Sequence, residues 1–128
     1  MKLVTSYFAN IKNIPDDYEL ISICGKAPDW YTGLQYKKLA PKLAFFLEWK
    51  QNKDNDFYIR HFNDEVLSKL NAIEIYNTLF SKTNKDKICL LCYEQPGDFC
   101  HRHLVADWFN SHGIKCEELN LHQNNRLF

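Results

Sequence analysis

The chain has 128 residues, 45% of them hydrophobic and 15% aromatic, and its 16 Lys and Arg residues balance 16 Asp and Glu. That length and composition exclude a disordered chain and fit one folded domain with a proper core; the zero formal net charge argues against whole-surface binding of nucleic acid or anionic lipid, leaving local basic patches as the alternative. No apolar run is long enough to span a bilayer, the N-terminal apolar run is broken by Thr5, Ser6 and Asn10 and does not read as an export signal, and five unevenly spaced cysteines read as reduced thiols of a cytoplasmic protein, not as a disulfide framework.

In chain order, residues 2–8 (KLVTSYF) are β-branched and aromatic and predict a strand. Residues 13–17, around Pro15, mark a turn, and 18–25 (YELISICG) predict a second strand ended by Gly25 and Pro28. Residues 26–42 form a long irregular loop, in which Pro41 suits the first turn of a helix because its missing N–H costs nothing there. Leu43, Phe46, Leu47 and Lys50 follow at helical spacing up to the polar break at 52–56. After FYIRHF, Asn63 is positioned to cap a helix with Asp64 and Glu65 in its first turn. Leu67, Leu70, Ile73, Tyr76, Leu79 and Phe80 carry that helix to Ser81.

Residues 87–94 (KICLLCYE) begin as a nearly unbroken apolar run, as in a strand covered on both faces. A Pro-Gly-Asp turn leads into an amphipathic helix over 99–113, with Gly113 at its C-terminal end, and 114–121 (IKCEELNL) offer a last strand. Strands alternating with helices predict a single α/β domain over 1–128, a three-layer arrangement with a mostly parallel sheet of about four to five strands and helices on its faces. Ligands of such sheets bind beyond the carboxyl ends of the strands.

Chemistry concentrates in CYEQPGDFCHRHL, residues 92–104. The spacing of Cys89 and Cys92 imitates half a zinc site, but residues three apart in a strand point to opposite faces, so Cys89 reads as a small buried hydrophobe. Cys92 lies near the carboxyl end of that strand and Cys100 in the first turn of the next helix. There the free N–H groups and partial positive charge lower a thiol pKa. On a helical wheel Leu104, Val105, Trp108 and Phe109 form the buried stripe. Cys100, His101 and Arg102 then look into the crevice at the sheet edge, and His103 points away. If Asp98 caps the helix, its carboxylate takes one of the amides an anion would use. Three readings fit. In the first, Cys92 or Cys100 is a nucleophile, His101 an acid/base and Arg102 an anion binder, with Glu94 as a further base. In the second, Cys92, Cys100 and His101 hold Zn²⁺ or iron, with a position left open. In the third, Cys92 and Cys100 are buried packing residues, Asp98 caps the helix and His101 hydrogen-bonds a backbone carbonyl.

A second constellation lies in the 26–42 loop, where Lys26, Trp30, Tyr31 and Tyr36 lead the aromatic and basic residues. Rings for stacking and lysines for a phosphate suit a nucleotide or single-stranded nucleic acid; the plain alternative is a packed lid with solvated lysines. Arg60 and His61 lie where they could reach the same crevice, and His112, His122 and Cys116 read as incidental or packed. The chain holds no P-loop, no G-x-G-x-x-G, no H-E-x-x-H and no G-x-S-x-G.

LLCYEQPGDFCHRHLVADWF (90–109), together with LAP (39–41) and YIRHFNDEVL (58–67), resembles domain-of-unknown-function family 488 over nearly the whole chain. The likeness is most specific at Cys92, Glu94, Cys100, His101 and Arg102, in a C-Y-E…C-H-R pattern. It implies a compact bacterial or phage α/β domain and carries no settled activity. The residues therefore predict a small-molecule enzyme for a nucleotide-like or phosphorylated ligand, with thiol-dependent or metal-assisted transferase or hydrolase chemistry. The site would use Cys92, Glu94, Cys100, His101 and Arg102, with Lys26, Trp30, Tyr31, Tyr36 and Arg60 holding the ligand. The alternatives are a single-stranded nucleic-acid-binding module and a metal-stabilised interaction or accessory domain.

Overall fold

The computed structural model describes residues 1–94 and 98–119. Its centre is a five-stranded sheet in the order β3-β2-β4-β1-β5. The strands are β1 (Lys2–Tyr7), β2 (Glu19–Ser22), β3 (Leu34–Gln35), β4 (Lys87–Cys92) and β5 (Cys116–Glu118), and every pairing is parallel. The apolar run of 87–92 takes the central place. Five of its six residues are buried, because β1 and β2 flank it and both its faces are covered.

The helices are α1 (Leu43–Asn52), α2 (Asn55–Glu65), α3 (Ala72–Ser81) and α4 (His101–Ser111). All four add buried residues to one core, with Leu3, Ile21, Ile88 and Leu90 of the sheet. The strand residues of opposite parity, Val4, Cys89 and Leu91, join a second core. There a 3₁₀ turn (Phe8–Asn13) and the loop reaching Ala27 supply the cover, with Phe8, Ile14 and Tyr18. The third layer is thus loop and turn, and the α-helices share one side.

The segment from 52 to 81 departs from the sequence expectation. FYIRHF lies inside α2, and Asn63 is in its last turns instead of capping a new helix. Asp54 is the cap of α2, accepting from Phe57 N at 3.2 Å. The long helix expected up to Ser81 is two helices separated by a 3₁₀ turn (Leu67–Lys69), with Asn71 capping α3 through Glu74 N at 3.0 Å. Apolar spacing alone does not separate one helix from two in succession; the side-chain caps do. Pro41 precedes α1 by two residues, outside its first turn. Of the expected last strand, residues 116–118 are β5, whereas 120 and 121, like His122 and the Pro96-Gly97 pair of the turn, fall outside the described residues. No described helix is long and apolar enough to cross a membrane.

The topology creates a crevice. From β2 the chain moves outward to β3, whereas from β4 it crosses back through α4 to β5 on the far side of β1. Loops leaving adjacent parallel strands in opposite directions open a gap at their carboxyl ends.

Candidate active site

The gap between β2 and β4 is where the thiols meet. Ser22 pairs with Leu91, and Ile23 N donates to Leu91 O at 3.1 Å, so the residues following β2 run level with the end of β4. Cys24 Sγ lies 3.5 Å from Cys92 Sγ. From the other side α4 begins at His101 with Cys100 as its N-cap residue. His101 Nδ1 is 3.4 Å from Cys92 Sγ, and its Nε2 is 2.7 Å from Ile23 O. A carbonyl oxygen only accepts, so Nε2 carries the hydrogen and Nδ1 turns its lone pair to the sulfur. The donor atoms of Cys92, Cys100 and His101 all lie within 4.8 Å of one another, and all three residues are buried.

These thiols hold their protons tightly. The nearby Cys100 thiol pulls the Cys92 pKa down, but the contact with Cys24 and burial outweigh this and leave it well above the ordinary cysteine value. The nearby Cys92 thiol and burial raise Cys100 as well, against an opposing pull from His101. The activated thiolate expected at a helix N-terminus is not the resting state of either residue. Nor does Asp98 cap the helix: α4 has no side-chain cap, and Asp98 is exposed.

A cleft of about 700 Å³ opens over this floor, with Cys24, Cys92, Cys100 and His101 among its lining. Its walls are aromatic. Phe46 and Trp49 come from α1, Tyr58 from α2, Tyr93 from the residue after β4 and Phe99 from the residue before the N-cap. Trp49 packs on Tyr58 at 5.3 Å and on Phe99 at 5.6 Å between ring centres, and Tyr58 meets Phe99 edge-on at 4.9 Å. Burial raises the Tyr58 phenol, which stays neutral. Lys26, Lys50 and Glu94 stand at the rim, all exposed.

A family model described as the active DUF488-N3 subclade, DUF488-N3a, matches residues 7–113. The chain belongs to the DUF488 family. No curated protein and no solved structure matches it. The matched DUF488 span holds the whole sulfur–imidazole floor and the aromatic walls of the cleft.

In this DUF488 chain the residues expected in the site part company. Cys92, Cys100 and His101 come together, with Glu94 and Lys26 at the rim. Arg102 does not face the crevice. It is fully buried, and its Nε and Nη2 each reach a Glu118 carboxylate oxygen at 3.0 Å. Its Nη1 donates to the Glu94 carbonyl, and the guanidinium lies over the Tyr7 ring at 5.8 Å. Cys89 lies outside the donor group, as strand alternation predicts.

Of the 26–42 loop, Lys26 and Pro41 reach the cleft lining, whereas Trp30, Tyr31 and Tyr36 do not form its lid. Trp30 is 61% exposed and touches Phe8 edge-on. The Tyr31 hydroxyl lies 2.7 Å from Leu34 O and 3.1 Å from Leu20 O, binding the loop to the sheet. It crosses Gly33 so closely that a Cβ there would sit 2.4 Å from the hydroxyl oxygen. Tyr36 is buried in the helix-side core under Lys82, and Arg60 is exposed on α2, away from the cleft lining. The walls that sequence reasoning missed are Phe46, Trp49, Tyr58, Tyr93 and Phe99; Cys24, which the sequence places at the start of the loop after the second strand, lies in the floor. The available signal was Phe46, Trp49 and Lys50, three and four residues apart on one face of α1.

Proposed function

We propose that this DUF488 domain is an enzyme for a small, flat, anionic molecule of nucleotide kind, bound in the cleft and transformed at the Cys92–Cys100–His101 floor. One observation carries the reading: five aromatic residues line the cleft that opens directly onto buried sulfur and imidazole donors, with lysines at its mouth. Aromatic walls bind the ring by stacking. Lys26 and Lys50 bind the anionic group, and Glu94 orients a ring or sugar donor. In the metal-free site His101 Nδ1 is the base within reach of the Cys92 proton, and Nε2–H bonded to Ile23 O fixes the imidazole for that task. The reactions served are group transfer and hydrolysis. The description of the subclade as active agrees with this reading.

The test is a panel of nucleosides, nucleotides and other phosphorylated ring compounds, followed by tryptophan fluorescence and calorimetry. Binding that weakens in Phe46→Ala and Trp49→Ala, with turnover lost in His101→Ala, supports the proposal. A panel that yields no ligand, or one whose affinity ignores both aromatic substitutions, refutes it.

A second reading has its own support. Lys37, Lys38, Lys42 and Lys69 surround a hollow of about 270 Å³ that also contains Glu65, and Pro41 borders both this hollow and the aromatic cleft. A strand of single-stranded nucleic acid with its backbone on the lysines would reach the aromatic walls with a base. Binding of an oligonucleotide that falls steeply with salt favours this reading, and a flat response removes it.

A further inference from the structure

We propose that Cys92, Cys100 and His101 bind one zinc ion, with a fourth position open to the cleft. The donor atoms lie within 4.8 Å of one another at the closed end of a cleft, and no other group of three such donors occurs among the described residues. A tetrahedral ion that holds sulfur at about 2.3 Å and imidazole nitrogen at about 2.0 Å sets those two atoms about 3.5 Å apart. Cys92 Sγ and His101 Nδ1 are 3.4 Å apart. The imidazole is already in the tautomer a metal requires. Its Nε2–H is given to the Ile23 carbonyl, the outer hydrogen bond that characteristically orients a ligating histidine, and Nδ1 is left to the ion. Phe62 lies against the same ring, edge-on at 5.5 Å, and limits its rotation.

The donor chemistry selects the metal. Two sulfurs and one nitrogen, with no carboxylate in the set, suit borderline-soft Zn²⁺ over magnesium, calcium or manganese. Three protein donors with a fourth place left for water or substrate is the arrangement of a catalytic zinc, whereas a structural zinc has four. Cys24 belongs to the outer shell. It is 3.5 Å from Cys92 Sγ but is not within ligating range of the whole group, and its S–H is positioned to donate to Cys92. Binding is balanced as Zn²⁺ displacing two thiol protons, one each from Cys92 and Cys100, which leave to solvent. The use of the open position rests on the cleft being a substrate site; the binding of the ion does not.

The experiment titrates the full chain, stripped with chelator under reducing conditions, with Co²⁺ alone and then Zn²⁺ alone. One Co²⁺ per chain is expected, with a near-ultraviolet sulfur-to-cobalt band and the visible bands of a tetrahedral ion, all abolished by Zn²⁺. The band disappears in the double variant Cys92→Ser/Cys100→Ser and survives in Cys116→Ala, whose thiol packs in β5. Should the double variant not fold, X-ray absorption of the zinc-loaded wild type decides, with two sulfurs and lighter donors expected around the ion. A chain that takes up no Co²⁺, a band that persists in the folded double variant, or an all-sulfur shell overturns the proposal. Loss of the metal reading with ring-ligand binding intact leaves the enzyme proposal standing on thiol chemistry. Metal uptake without any ring ligand removes the enzyme proposal and keeps the zinc.

Discussion

His101 and Arg102 are consecutive residues in the first turn of α4, both basic and both buried, yet they do opposite things. Arg102 has its charge matched by Glu118 and a further donor given to the Glu94 carbonyl, so its bonding is spent on the protein itself. His101 is held by one hydrogen bond at Nε2, and its other nitrogen faces the thiols at the bottom of the cleft. Burial and basicity do not distinguish a structural residue from a chemical one. What distinguishes them is where the last unspent donor or acceptor points.

Substitution should break this pair in two different ways. The largest effect on stability is expected from Arg102→Ala, which leaves the Glu118 carboxylate unpaired. Glu118 is one quarter exposed and softens the loss, so a drop of roughly 3 kcal/mol in chemical denaturation is expected, the low end for breaking a buried ion pair. Arg102→Lys keeps the charge, cannot make both carboxylate bonds and should recover only part of this. His101→Ala should instead abolish turnover and metal uptake while costing only about 1–2 kcal/mol, the scale of one lost buried hydrogen bond. Equal stability losses from the two changes would erase the contrast.

Smaller effects sharpen it. Trp49→Ala should weaken ring-ligand binding by about 1–3 kcal/mol, the range for removing one stacking partner, and leave metal binding in place. The third basic residue of the turn, His103, supplies a pH signature. Burial, and then the neighbouring Arg102 charge, lower its pKa below the ordinary 6.5. The folded state therefore binds this proton less readily than the unfolded chain. The contribution is fully present above about pH 6.5 and is lost as the pH falls from there through the lowered folded value. Melting temperatures between pH 7.5 and pH 5.5 should fall less steeply in His103→Gln. Least of all is expected from Asp17→Asn. Its bond to Lys87 at 2.7 Å lowers the carboxyl pKa, but both groups stand in water, and the melting temperature should not move.

Much of the site was legible because strand geometry is local. Alternation removed Cys89, and the end of the apolar run placed Cys92 at the ligand-binding edge. Cys100 and His101 followed because only a short turn separates them from that edge. Arg102 was misplaced because its partner, Glu118, belongs to a strand that pairs with β1, and a helical wheel contains no information about that. The lid was misplaced for a related reason. Trp30, Tyr31 and Tyr36 are near one another in sequence, but the Tyr31 hydroxyl and the short β3 draw the loop to the outer edge of the sheet. The true wall, on α1, has ordinary amphipathic spacing, in which a ring facing a cleft and a ring facing a core look alike.

The three residues of β5 have a reach beyond their length. Glu118 holds Arg102, Arg102 holds the carbonyl of Glu94, and the side chain of Glu94 stands at the mouth of the cleft. The edge strand therefore acts as a latch on the segment that leaves β4. Slackening it, by a change as remote as Thr5→Val, which removes the 2.6 Å hydroxyl bond to Glu118, would be felt at the rim of the site before it was felt in the core.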